Sequence, residues 1–120
     1  MHELSIAQGI VEIIGQYVPV DQAPEVRLVK VRVGQMSGVV PDSLDFCFEA
    51  IVNGTPLSRA RLNIEETPVQ SRCNDCGRDF AVEGAVFLCP GCGSGDVKII
   101  SGTELQVVEI ELSEQPSGVA

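Results

Sequence analysis

The sequence predicts an α+β fold, with two helices packed on a three-stranded sheet and a small cysteine-rich sub-domain inserted before the last strand. Three observations carry this reading. Apolar residues recur at spacings of three and four in two segments of the first half, the mark of amphipathic helices. Three other segments alternate with the period of two that half-buried strands show. Between the second and third of those strands, four cysteines fall in two close pairs within twenty residues.

The first helix is drawn by Ile6, Ile10, Ile13, Ile14 and Tyr17, with Ala7 and Val11 beside them. Ser5 followed by Gln8 reads as a capping box at its start, and Pro19 and Pro24 end it in a loop. On this reading Met1, His2 and Glu3 lie ahead of the first turn and project freely. Residues 26–33 form the first strand, with Val29, Val31 and Val33 on one face and Leu28, Lys30 and Arg32 on the other. A turn through Gly34, Ser37 and Gly38 leads to Pro41, which suits the first position of the second helix. There Leu44, Cys47, Phe48, Ile51 and Val52 make an i, i+3, i+4, i+7, i+8 stripe, closed by Asn53-Gly54. Arg61 to Glu66 is the second strand, and Glu104 to Leu112 the third, with Val108, Ile110 and Leu112 sharing a face. The expected organisation is a discontinuous α/β domain of 1–68 and 101–112, an insertion of 69–100, and a loose tail of 113–120.

Composition narrows the function. The chain has 120 residues, 44% of them hydrophobic, enough for a core of its own. Seventeen acidic residues against eight basic ones give a formal charge of −9. Such a surface repels phosphate backbones and anionic lipid, so neither nucleic acid nor a membrane is an expected partner. No apolar run reaches the roughly 18 residues of a membrane helix. The N-terminus lacks the cationic start and clean apolar stretch of a signal peptide, which points to the cytoplasm.

The cysteines supply the sharpest signal. Cys73-Asn-Asp-Cys76-Gly and Cys89-Pro-Gly-Cys92-Gly form C-x2-C-x12-C-x2-C. Each C-x2-C turn aims two thiolates at one point, and two such knuckles close a tetrahedron suited to structural Zn(II). The insertion is therefore read as a four-cysteine zinc ribbon. A rubredoxin-like iron site has the same knuckles, but only Phe80 and Phe87 are at hand to pack round it, and a thioredoxin-like pair needs one exposed low-pKa cysteine on a helix. Cys47, the fifth cysteine, lies on the apolar stripe of the second helix and reads as core packing.

His2 is the only histidine, so no histidine-based triad is available, and no G-x-x-x-x-G-K-[ST] phosphate loop is present. No catalytic residues are assigned, and the chain reads as a non-enzyme. Glu65 and Glu66 read as a solvated strand end. The position of His2 carries a different chemistry. A free Met1 amine, the His2 backbone nitrogen and the His2 imidazole Nδ1 chelate one metal in five- and six-membered rings. Deprotonated amide nitrogen favours square-planar ions such as Ni(II) or Cu(II). Glu3 offers a further oxygen or its own backbone nitrogen.

The opening Met1 to Ile6, the block Val29 to Gly34, the stretch Ser37 to Leu44, and Phe46 to Ala50 resemble the HypA/HybF hydrogenase maturation factors. So do Ile64-Glu65-Glu66, the two knuckles ending Cys92-Gly93-Ser94, and Gly102 to Leu105. The resemblance runs from residue 1 to about 112. It implies a nickel metallochaperone for [NiFe]-hydrogenase, with Ni(II) carried at Met1, His2 and Glu3 and structural Zn(II) held by Cys73, Cys76, Cys89 and Cys92. It implies a HypB-like GTPase and the hydrogenase large-subunit precursor as partners, with urease accessory proteins as partners of some members. Relatives that have histidines beside the zinc knuckles differ from this chain, which has none there. The competing reading is a zinc-ribbon interaction adaptor that never carries nickel.

Overall fold

The structure, a computed structural model, describes residues 2–113, with side chains from Glu3 onward. Met1, the His2 side chain and residues 114–120 lie outside the described residues. The chain divides into two compact units. One takes in the described residues of Met1–Val31, Val39–Ile64 and Val107–Ala120; the other is Arg32–Gly38 with Glu65–Gln106.

Helix α1 runs His2–Tyr17 and packs on α2, Pro41–Val52. Ala7, Ile10 and Ile14 are buried on α1, and Val18, just past its end, continues the same spacing of three and four. Val18 therefore takes the core position expected of Tyr17, which is 75% exposed. The start of α1 is also earlier than the sequence suggests. Ser5 and Gln8 lie inside the helix, and Glu3 sits in its first turn, where a carboxylate complements the helix dipole. Glu3 Oε2 accepts the Val40 N–H at 3.1 Å, just ahead of α2. That bond, across 37 positions, fixes Glu3 in place of letting it project.

A 3-10 turn, Val20–Glu25, contains Pro24 and leads into β1, Val26–Gly34. Val29, Val31 and Val33 are fully buried on one face of β1, as its alternation requires, and Val26, of the opposite parity at the start of the strand, is buried as well. Pro41 starts α2, whose Leu44, Phe48 and Val52 are buried, while Cys47 is half-buried. Thr55 then donates its hydroxyl to the Val52 carbonyl at 2.6 Å and accepts the Leu57 N–H, which closes the helix end. Strands β2, Arg61–Thr67, and β6, Leu105–Leu112, flank β1 in the order β2-β1-β6. This is the three-stranded sheet the sequence predicts. Glu66 is exposed near the end of β2 as expected, and Glu65, with its side chain 43% accessible, also pairs with Arg32 at 2.9 Å. Strand β6 is mostly exposed, with Leu105, Val108 and Leu112 all open to solvent. Ser113 is tied to Glu25 through its backbone N–H and its hydroxyl, both at 2.6 Å.

The insertion contains a second sheet that the sequence pattern does not announce. Strands β3, Gln70–Cys73, β4, Asp79–Ala81, and β5, Val97–Ser101, pair antiparallel in the order β4-β3-β5. Ser71 lies opposite Phe80 and Ile99, Cys73 opposite Val97, and a bulge falls between Gln70 and Ser71. A small core of Cys73, Phe80 and Cys89, lined by Val82 and Val97, fills one face.

At the base of this sheet three backbone segments cross with no room for side chains. A Cβ on Gly34 would lie 2.1 Å from the Gly102 carbonyl oxygen, and one on Gly102 would lie 2.7 Å from Val69 Cα. Gly102 has φ +106°, a conformation only glycine adopts without strain. The close approach lets Met36 donate to the Gly102 carbonyl, and Gly34 to that of Glu104, both at 2.7 Å.

Candidate metal centres

The four knuckle cysteines come together as the spacing requires. Their sulfurs all lie within 4.8 Å of one another. Cys73 and Cys92 are 3.5 Å apart at Sγ, and Cys76 and Cys89 are 3.6 Å apart. Four thiolates bound at about 2.3 Å in a tetrahedron stand roughly 3.8 Å apart, so this cage fits a tetrahedral ion with little adjustment. All five cysteines of the chain are free thiols.

Local backbone chemistry builds the two knuckles alike. In the first, Gly77 N–H donates to the Cys73 carbonyl and Cys73 N–H to that of Arg78; in the second, Gly93 donates to Cys89 and Cys89 to Ser94. Gly77 and Gly93 carry the positive φ, +80° and +76°, that turns each loop back. The turns aim N–H groups at sulfur: Cys76 at Cys73 Sγ and Gly91 at Cys89 Sγ, both at 3.4 Å. These donors stabilise thiolate charge, which is what a metal needs.

The thiols are accordingly unequal. Desolvation pushes Cys89 up, but N–H donation from Cys92 and Gly91 outweighs it and holds this thiol at about 7. The Ser94 N–H draws Cys92 down, and Cys73, desolvation and the other sulfurs overcome it, leaving Cys92 at about 12. Cys76 also ends above its ordinary value, since Cys89 and desolvation outweigh N–H donation from Arg78. Cys73 and Cys89 are buried, whereas Cys76 and Cys92 face solvent. The cage therefore has a dry inner half and a wet outer half.

Side chains between the knuckles complete the clamp, and sequence spacing alone did not single them out. Asn74 donates Nδ2 to Asp96 at 3.0 Å and its N–H to the Asp96 carbonyl at 2.9 Å. Ser94 donates its hydroxyl to Asp75. Arg72 holds Asp79 with two bonds across β3 and β4, at 2.7 and 3.2 Å. The available signal was position: Asn74 and Asp75 fill the first C-x2-C turn, and Ser94 and Asp96 follow the second.

At the other candidate centre the described part is the backbone of His2 and the whole of Glu3. Helix α1 begins at His2, so its opening amides have no intrahelical acceptor. The Glu3 carboxyl lies below its ordinary value because the Val40 N–H donates to its anionic form. Among the described residues, the four cysteines are the one group placed to hold a metal, and no helix is long and apolar enough to cross a membrane.

Fold and site together define a small α+β protein of the metal-handling class, with a four-thiolate cage in one of its two units. The family model described as "Hydrogenase/urease nickel incorporation, metallochaperone, hypA" matches residues 1–112. The chain belongs to this HypA family. It is 48% identical over 115 residues to the hydrogenase maturation factor HypA of Desulfosudis oleivorans, covering 95% of this chain and all of that one. It is 43% identical to that of Geobacter metallireducens, covering 93% and 99% of the two chains. Among solved structures, the Ni metallochaperone HypA from Helicobacter pylori shares the fold, with a TM-score of 0.65 at 23% identity and 94% and 98% of the two chains covered. The family serves nickel incorporation into hydrogenase and urease as a metallochaperone.

Proposed function

We propose that this chain acquires one Ni(II) at its N-terminus and hands it on during assembly of [NiFe]-hydrogenase, with urease as a second client class. The metal is cargo. The Met1 amine, the His2 backbone nitrogen and His2 Nδ1 provide three nitrogen donors in fused five- and six-membered rings, and Glu3 offers the fourth. The observation that supports this most directly is the start of α1 at His2. Opening amides without intrahelical acceptors are given up to a metal at no cost in helix hydrogen bonds. The Glu3 carboxylate, which accepts the Val40 N–H, lies in the first turn of α1 beside these donors.

Zn(II) is the ion that Cys73, Cys76, Cys89 and Cys92 hold, closed and resident, supplying folding energy to residues 69–100. The chain transfers metal by ligand exchange and catalyses no covalent step. A HypB-like GTPase and the hydrogenase large-subunit precursor are its partners, in the cytoplasm.

The test is a Ni(II) titration of untagged, zinc-loaded protein beside His2→Ala and an N-terminally extended form. One nickel per parent chain, lost in both variants with zinc retained, is the expected result. Equal nickel binding by all three would refute the N-terminal chelate, and a zinc-ribbon interaction adaptor would then describe the chain better.

A further inference from the structure

We propose that Arg78 is a positioning residue of the four-thiolate cage, laying a permanent positive charge across the second knuckle and so favouring the metal-bound form of the site. This inference rests on the reading of Cys73, Cys76, Cys89 and Cys92 as a metal site. Arg78 belongs to the first knuckle by its backbone, since its carbonyl accepts the Cys73 N–H at 2.8 Å. Its side chain crosses to the second. A Cβ on Gly91 would lie 2.9 Å from Arg78 Cζ, 3.0 Å from Nε and 3.0 Å from Nη1. Three near-equal distances mean that the guanidinium meets Gly91 face-on. Gly91 in turn donates its N–H to Cys89 Sγ at 3.4 Å. Cation, peptide and sulfur thus stand in series.

Charge explains why this contact matters. One divalent ion and four thiolates leave a net charge of −2 on the cage. Residues 73–79 and 89–96 add Asp75, Asp79 and Asp96, with Arg78 as their only basic residue. Arg72, just before them, is engaged with Asp79. Arg78 therefore opposes a concentration of negative charge, and a guanidinium keeps its own charge at any physiological pH. In the bound form the cation faces that dianion across one peptide, and a neutral side chain at this position forgoes the attraction. Gly91 is explained by the same contact, because any side chain there displaces the guanidinium.

Zinc affinity is measured by competition with a chromogenic chelator for the parent, Arg78→Gln, Arg78→Lys, Gly91→Ala and the Arg78→Gln/Gly91→Ala double variant, at low salt and at about 1 M salt. Arg78 is solvent-exposed, so the neutral variant retains the fold. Arg78→Gln is expected to weaken zinc about three- to tenfold at low salt, in the range of a screened surface charge facing a dianion. Arg78→Lys should stay within about twofold of the parent, since the charge persists. Gly91→Ala should weaken zinc in the parent and add little to Arg78→Gln. The gap should close at high salt, where the Debye length is about 3 Å. Equal affinity of Arg78→Gln and parent overturns the proposal. So does an Arg78→Lys as weak as Arg78→Gln, or a gap that salt leaves unchanged. A parent that binds no zinc overturns the metal-site reading itself, and the proposal with it.

Discussion

Replacing Gly34 by alanine tests whether the backbone crossing under the ribbon holds its parts together. A Cβ at that position falls 2.1 Å from the Gly102 carbonyl oxygen, 2.2 Å from its carbon and 2.5 Å from Thr103 nitrogen. These atoms are backbone, so no rotamer change relieves the overlap, and the segments must part by about 1 Å. Parting by that amount takes the 2.7 Å bonds Gly34 N–H to Glu104 and Met36 N–H to Gly102 beyond hydrogen-bonding range. Two such bonds, at about 1 kcal/mol each plus the cost of stranding their partners, give a loss of about 2–5 kcal/mol. That is a large share of the roughly 5–15 kcal/mol available to a domain. Gly54→Ala is the control. Gly54 has φ +79° but nothing within 4 Å of its Cβ, so only the left-handed backbone penalty of about 1–2 kcal/mol applies. Urea denaturation of the zinc-loaded proteins, followed by circular dichroism, measures both. A Gly34→Ala midpoint equal to or above that of Gly54→Ala would refute the reasoning.

Other outcomes follow from the same geometry. Phe48 is fully buried on α2, so Phe48→Ala should cost about 3–5 kcal/mol in urea denaturation while leaving zinc content at one per chain. Cys73→Ser should weaken zinc by about a hundredfold or more, from a four-ligand binding energy of about 10–16 kcal/mol, whereas Cys47→Ser should leave it unchanged; chelator competition separates them. Glu3 has its carboxyl lowered by the Val40 N–H, so its contribution to stability is complete above the unfolded carboxylate value and is lost as pH falls through the folded one. Glu3→Gln should therefore lower the urea midpoint at pH 7, and its difference from the parent should close as pH falls through the lowered carboxyl value. A difference that stays constant with pH would show that the Val40 bond is not the source.

What was legible in the sequence was what depends on near neighbours. The cage is an example, because a C-x2-C turn fixes its own thiolate directions and Gly77 and Gly93 advertise the reversal. Val29, Val31 and Val33 were legible for a similar reason: alternation alone decides which side of a strand is dry. The start of α1 was not legible, since Ser5 and Gln8 carried the local signal while Glu3, in the actual first turn, finds its partner 37 positions away at Val40. Tyr17 fitted the apolar stripe by period, yet Val18, one residue on, is the one that reaches the core. The ribbon strands, three to five residues long, are too short for periodicity to reveal. Arg78 and Gly91 looked unremarkable because their meaning lies in a contact between two turns.

The pairing of Gln70 with Ser101 has a kinetic consequence. These residues open and close an excursion of about thirty residues, which separates β2 from β6 along the chain and must be closed before β6 can join β1; longer loops are entropically dearer to close. Once the cage captures its ion, β3 and β5 run side by side and the excursion returns to its point of departure. The sheet then sees a short connection where the ribosome made a long one. An ion held by the four cysteines would act as a splint during folding, and stripping it should slow refolding of the β2-β1-β6 sheet even though no cysteine belongs to that sheet.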